Sequence, residues 1–508
     1  MKREETEVLV VGLGPIGATL SVYLGRMGVS VIAIERDTGV YPLPRAAHLD
    51  HETMRLLHLA GGAEAVSKAS QPLSAYEFRN ADGDLLMGFK PGQRLAPTGW
   101  PYSSMFHQPT LEHALRARLA ATEGVTTRLG HALKGYERVG DGIVATVDGL
   151  DGACEIAARF IVGCDGGNSL VRRIAGIELD DLGFDEPWLV IDTTLKNGRE
   201  RLSTVGLQHC DPRRPVTSMP MAPGRHRWEF MLLPGETPES VMSDETIAGF
   251  LAPYAEAADL EIERRAVYRF HALVAEKWRD GLVILAGDAA HQMPPFMGQG
   301  LCSGVRDAAN ISWKIEAVLR GRAGDALLDS YQPEREPHVR MITDMAVMMG
   351  KVVCTRDPEE ARARDEGMLA QPEAQRQSEM MTLEGLKSGI MPGGGGIFPD
   401  PGHGTGREQS RLDDAAGCTA ILVVAEDCDA SRAFAASGVF VARPDALPDA
   451  QGHLAGLMDG APALPVRPAR HVFATGETGP PIPPCSAAHP APAPPLSPSP
   501  ASNPHPRP

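Results

Sequence analysis

Residues 7–35 read EVLVVGLGPIGATLSVYLGRMGVSVIAIE. A β-rich apolar run (7–12), a helical run (15–27) and a second β-rich run (29–35) follow one another without gaps, which is the strand–helix–strand unit of an α/β sheet. Gly12-Leu13-Gly14-Pro15-Ile16-Gly17 at the first turn fits G-x-G-x-x-G, and Glu35 closes the second strand 18 residues past Gly17. Gly12 permits the tight turn, Gly14 lets backbone approach a pyrophosphate, and Gly17 lets helix and strand pack closely, with the helix N-terminal amides facing the phosphates. Glu35 is placed to accept from adenosine ribose hydroxyls. Arg36 beside it suits a 2′-phosphate instead, so this motif alone leaves NAD, NADP and FAD open.

Two further apolar runs end in polar loops. Residues 156–163 lead into Cys164-Asp165-Gly166 and then SLVRRIAG, a helix start that Ser169 or Asn168 can cap. Residues 281–287, GLVILAG, end at Asp288 and pass through a Pro/Gly loop into the helical pattern RDAANISWKIEAVLRG. Ligands of open α/β sheets bind outside the carboxyl ends of strands, so three such loops can converge on one site. Residues 183–270 alternate apolar and polar side chains, as in WEFMLLPG, and are expected to form an antiparallel substrate layer.

At 508 residues the chain is long enough for about three units. An apolar content of 43% with 22% charged residues is ordinary globular usage, and a net charge of −16 argues against nucleic acid or an anionic membrane as partner. The eight cysteines include no C-x-x-C pair, which implies neither a thiolate metal site nor a disulfide framework. The histidines show no H-E-x-x-H or similar ligand spacing, so no metal is expected and oxygen or redox chemistry falls to an organic cofactor. No signal peptide or membrane span is recognisable, and a cytoplasmic protein is expected. Gly393 to Gly396 reads as a linker, and from Pro480 onward 13 of 29 residues are proline, too few apolar residues to offset ordering entropy, so residues 477–508 are expected to be a disordered tail.

The pairing of Asp165-Gly166-x-x-Ser169-x-Val171-Arg172 with Gly287-Asp288-Ala289-Ala290-His291, continuing through Pro295 to Gly298-Gln299-Gly300, resembles the flavin-dependent aromatic hydroxylases. The stretches PRAAHLDHETMR, CDGGNSLVRR, WEFMLLPGET, LAGDAAHQMPPFMGQGLCSGVRDAANISWK and ALLDSYQPER are similar to the 3-(3-hydroxyphenyl)propionate hydroxylase branch, over roughly residues 7 to 340. That resemblance implies an α/β fold: a Rossmann-like FAD-binding domain (1–180 and 275–345, with a substrate-layer segment near 70–105) and an inserted β-sheet substrate domain (181–274), as in para-hydroxybenzoate hydroxylase. A helical segment (346–392) and a partial thioredoxin-like region (393–476, around RLDDAAGCTAILVVAEDCD) follow. It implies FAD held by Gly12, Gly14, Pro15, Ile16, Gly17, Glu35, Arg36, Arg45, Gln108, Asp165, Gly166, Gly287, Asp288, Pro295, Gly298 and Gly300, with Asp288 on the ribityl chain, and NADH or NADPH as a transient donor without a second nucleotide domain.

The implied reaction is ortho hydroxylation of a small phenol by O2 through a flavin C4a-hydroperoxide, with 3-(3-hydroxyphenyl)propionate or 3-hydroxycinnamate as first candidates and resorcinol, substituted phenols and polyketides as alternatives. His48 is a candidate for phenol deprotonation, its ordinary pKa of ~6.5 suiting proton exchange, set against a structural role. His291 is read as fixing its loop, and Cys302 as packing, although its place at a helix start could lower a thiol pKa. A dehydrogenase or halogenase on the same nucleotide fold is a competing reading, although no W-x-W-x-I-P motif is present. A flavin-binding sensor without turnover is another. Whether the chain forms a homodimer is left open.

Overall fold

The computed structural model describes residues 2–91, 95–196, 203–379, 383, 385–386, 395–400, 411–444, 457–458 and 462–473. The proline-rich tail and Gly393 and Gly394 lie outside the described residues.

Five parallel strands lie side by side in the order Val283–Leu285, Gly152–Gly163, Lys2–Val11, Val31–Glu35 and Val125–Leu129. Val283–Leu285, residues 31–34 and residues 8–11 are continuous buried apolar runs, as strand segments covered on both faces must be. Lys2–Val11 is longer than its apolar stretch, because residues 2–6, four of them charged, pair in register with residues 154–158. Register also fixes the site. Val11 stands opposite Gly163, and Gly163 opposite Leu285, so the three motif-bearing strands end flush and deliver their loops to one edge. The helices Pro15–Arg26 and Gly300–Leu319 pack together there. A Cβ at Gly304 would come within 2.6 Å of Ile16 Cδ1, so glycine is what lets them meet.

The second sheet has nine strands: His291–Gln292, Leu260–Ala275, Leu179–Leu195, Arg225–Met231, Val216–Pro220, Val205–His209, Ala75–Arg79, Leu85–Lys90 and Gln377–Glu379. Its centre is antiparallel, as the alternation of residues 183–270 implies. Segments 75–79 and 377–379 join it by parallel pairing. One face buries Leu189, Ile191, Trp228 and Phe230 against Ile247 and Leu251 of the helix Asp244–Leu251. The two-residue strand His291–Gln292 stitches the Gly287–Ala289 loop to the edge of this sheet.

The boundaries at 180/181, 274/275 and 345/346 fall inside the continuous elements Leu179–Leu195, Leu260–Ala275 and Tyr331–Cys354. Beyond them, Ile421–Val424 is the centre of a three-stranded sheet between Phe440–Ala442 and Ala463–Val466. The linker reading of the glycine run needs correction at its end: Gly395 donates to the Val472 carbonyl at 2.8 Å and Gly396 accepts from the Val472 N–H at 2.9 Å. Asp413 anchors this C-terminal unit, taking Arg55 Nε at 2.6 Å and Arg470 Nε at 2.7 Å, all three fully buried.

Candidate active site

A cavity of about 410 Å³ opens where the flush strand ends face the second sheet. Its nucleotide side is walled by Gly14, Pro15, Ile16, Arg45, His48, Gln108, Gly166, Asp288, Pro295, Gly298 and Gly300. All eleven were singled out from sequence. The opposite wall carries Leu73, Met105, Met219, Phe270 and Phe296, with Tyr76, Gln208, Thr217, Arg227 and Glu229 as its polar groups.

The remaining sequence candidates stand behind the wall. Gly12, at φ +96°, packs so closely on Cys164 that a Cβ would lie 2.5 Å from its carbonyl oxygen, and a Cβ at Gly17 would lie 1.9 Å from the Gly12 oxygen. Glu35 accepts the Leu13 N–H at 2.8 Å, bracing the glycine turn, while Arg36 is exposed. Gly287 sits against Ile16 and donates its N–H to Asp307 at 3.1 Å. Asp165 is turned into its own helix, accepting from Leu170 N at 2.7 Å and the Ser169 hydroxyl at 2.5 Å. Ser169, not Asn168, is the cap, accepting the Arg172 N–H at 3.0 Å.

Three further sequence readings acquire geometry. His48 Nδ1 lies 3.3 Å from the Gly298 carbonyl, its Nε2 has no hydrogen-bond partner among the described residues, and burial lowers its pKa. His291 Nε2 is 2.6 Å from Asp307, which also takes Arg335 Nε at 2.9 Å, so this histidine fixes the loop. The thought that Cys302 has a lowered pKa is corrected: burial pushes its thiol up to about 12.

Residues 5–346 match the model of the FAD binding domain family. The chain belongs to this family of flavin-dependent aromatic hydroxylases. The hydroxylase is 39% identical over 429 residues to a probable NADH-specific resorcinol 4-hydroxylase of Rhodococcus jostii, covering 84% of this chain and 80% of the relative. It is 37% identical over 360 residues to a 3-(3-hydroxy-phenyl)propionate/3-hydroxycinnamic acid hydroxylase of Mycolicibacterium smegmatis, covering 71% of this chain and 63% of that relative, less than two thirds of its length. Among solved structures it is similar to the OxyS anhydrotetracycline hydroxylase from Streptomyces rimosus, with 26% identity, a TM-score of 0.74, and coverage of 94% of this chain and 96% of the other.

The wall of the hydroxylase fits FAD on its own chemistry. Gly14 has backbone angles open to any residue (φ −64°, ψ −176°), and a Cβ there would meet nothing within 4 Å. Nothing in the protein requires glycine at this point; a pyrophosphate lying on the first-turn amides does. Asp288 is exposed and lines the cavity, and its carboxylate makes no hydrogen bond or ion pair among the described residues. Crowding by protein raises its pKa, against the pull of His291 and Arg45. A carboxylate left in that setting is an acceptor awaiting hydroxyl donors such as a ribityl chain.

The polar groups of the opposite wall escaped the reading of the sequence. In WEFMLLPG the alternation is visible, but which face meets a ligand depends on strand pairing across distant segments. The available signal was that Arg227 and Glu229 share a face opposite Trp228 and Phe230.

Proposed function

We propose that this chain uses NADH and O2 to hydroxylate a small meta-substituted phenol at a ring carbon adjacent to its hydroxyl. The observation that carries this is the single cavity that joins the FAD-fitting loops to a mainly apolar sheet face with a few oriented polar groups. NADH as donor is supported by the Rhodococcus relative, which is named as NADH-specific. FAD, when bound, supplies the oxidation–reduction chemistry that activates O2.

The residues of the chain do the rest. Gly14 and the amides that begin Pro15–Arg26 bind the pyrophosphate, and Asp288 orients the cofactor through its hydroxyls. Gly298, at φ +61°, allows the loop after Pro295 to turn back onto His48, bringing backbone to the cavity at Gly298 and Gly300. Leu73, Met105, Met219, Phe270 and Phe296 exclude water from the reacting ring, which suppresses loss of activated oxygen to solvent. Phe296 is held by edge contacts with Phe184 at 5.8 Å and Trp188 at 6.0 Å, so the apolar wall is rigid.

The test is a panel of meta-substituted phenols, including resorcinol, 3-(3-hydroxyphenyl)propionate and 3-hydroxycinnamate, given to the FAD-loaded chain with NADH. Products one oxygen heavier, hydroxylated next to the original hydroxyl, are expected. Bound flavin with no phenol-stimulated NADH oxidation would instead support the sensor reading.

A further inference from the structure

The substrate side of the cavity has one-sided chemistry. Along Arg225–Met231, Trp228 and Phe230 enter the apolar cluster behind the sheet, while Arg227 and Glu229 face the cavity. Arg227 is already committed. Its guanidinium donates to Asp192 Oδ1 at 2.6 Å, to the Arg45 carbonyl at 2.7 Å and to the Pro44 carbonyl at 3.1 Å. Glu229 is only 6% exposed, and its carboxylate makes no hydrogen bond among the described residues. Its one ion-pair contact there is Arg227 Nη1 at 3.9 Å, beyond hydrogen-bond reach. Burial raises its carboxyl above the ordinary glutamate range, with Arg227 opposing in part.

Thr217 stands opposite Glu229 in the strand pair. Its hydroxyl donates to Gln208 Oε1 at 2.7 Å, Gln208 Nε2 donates to the Tyr76 hydroxyl at 2.7 Å, and that hydroxyl donates to the Phe296 carbonyl at 2.9 Å. The hydroxyl protons of this row are therefore used within the protein, and the uncommitted charged acceptor of the wall here is the Glu229 carboxylate. The other basic groups that line the cavity have partners of their own: Arg269 and His271 share Asp185 at 2.6 Å and 3.5 Å, and Arg45 stacks on Tyr41 at 4.6 Å.

We propose that Glu229 is the specificity-determining residue of this hydroxylase, accepting a hydroxyl of an uncharged dihydroxybenzene and rejecting a ring that carries a carboxylate. A phenolic O–H gives the buried carboxylate the charge-assisted hydrogen bond it lacks. An aryl carboxylate would bring a like charge into the same water-poor space, with the adjacent guanidinium already engaged. This rests on the phenol-hydroxylase reading and narrows its substrate from meta-substituted phenols in general to the resorcinol class.

The test uses the full-length, FAD-loaded chain. Binding of resorcinol and of 3-(3-hydroxyphenyl)propionate is read from the change in flavin absorbance, and kcat/KM for each from product formation. Wild type is expected to prefer resorcinol by at least tenfold. Glu229→Gln should narrow that preference at least tenfold, chiefly through KM and with tighter binding of the propionate, and Glu229→Leu should weaken resorcinol binding at least tenfold. Both variants should retain FAD and melt no lower than wild type, since an unpartnered carboxylate does not hold the sheet together. A wild-type preference for the propionate, or an unchanged preference in folded, FAD-bound variants, would overturn the role of Glu229 and leave the hydroxylase reading standing. A wild-type chain that turns over no phenol would overturn that reading and this proposal together.

Discussion

Gln108 accepts the backbone N–H of Ala46 at 2.7 Å and so ties the loop bearing Arg45 and His48 to the start of the helix Gln108–Ala120. Its amide nitrogen donates to Glu112 at 2.7 Å, which fixes the side chain from the other end. Gln108→Leu leaves the Ala46 N–H without its acceptor, a loss of about 1–3 kcal/mol in a part-buried position. FAD affinity, measured by fluorescence titration, is expected to fall about tenfold because the loop it contacts loosens.

The glycine motif gives a contrasting pair. Gly14→Ala meets no protein atom within 4 Å, so the FAD-free chain should lose no more than about 1 kcal/mol, mostly from a poorer helix cap, while FAD affinity falls tenfold or more. Gly17→Ala drives a Cβ to 1.9 Å from the Gly12 oxygen. It should destabilise the FAD-free chain itself by about 1–3 kcal/mol or more. Thermal melts with and without FAD separate the two.

Acid should unfold the chain through its buried carboxylates. Burial alone would raise Asp307, but His291 and Arg335 overcome it and hold the group below its ordinary value; Arg306 does the same for Glu52. A depressed folded pKa gives stability that is present above the unfolded value and lost as pH falls through the folded one. Denaturant titrations should therefore show little carboxylate-linked change from pH 7 to about 5 and a steep loss below about pH 4. Asp307→Ala, which strands Arg335 and His291, should cost about 3–5 kcal/mol at neutral pH and make the acid limb shallower.

His48 is expected to support its loop. Burial lowers its pKa, so the ring is neutral at pH 7, and its nearest hydrogen-bond contact is the Gly298 carbonyl. His48→Asn should reduce kcat by less than about tenfold and leave the pH profile between 6 and 8 unchanged. A drop of about 10²–10⁴-fold would mark it instead as a general base.

The nucleotide half of the site was legible because its signals are local. A strand ending in Gly-x-Gly or Gly-Asp announces a loop whatever lies elsewhere in the chain, which marked Gly14 and Asp288, while Arg45, Gln108 and Gly298 came from the family resemblance. Asp165 was assigned to cofactors by the family resemblance; a side chain at a strand end can turn to a ligand or to the next helix, and here it accepts from Ser169 and Leu170. Glu229 was invisible for a different reason. Its environment is made by Thr217 across the strand pair, by Arg227 two residues earlier on its own strand, and by Asp192, which holds Arg227 away from it. Residues 75–79 join the sheet to which the family resemblance assigned the segment near 70–105, but their parallel pairing and that of the edge strand 377–379 were not legible, since register between distant segments leaves no periodic mark.

Hydroxylation is tested most directly by following where molecular oxygen goes. The FAD-loaded chain, given NADH and resorcinol under isotopically labelled dioxygen, should yield a triol carrying a single labelled oxygen at a carbon adjacent to an original hydroxyl, with NADH consumed in step with product. NADH oxidation that ends only in peroxide, or product whose new oxygen derives from water, would contradict it.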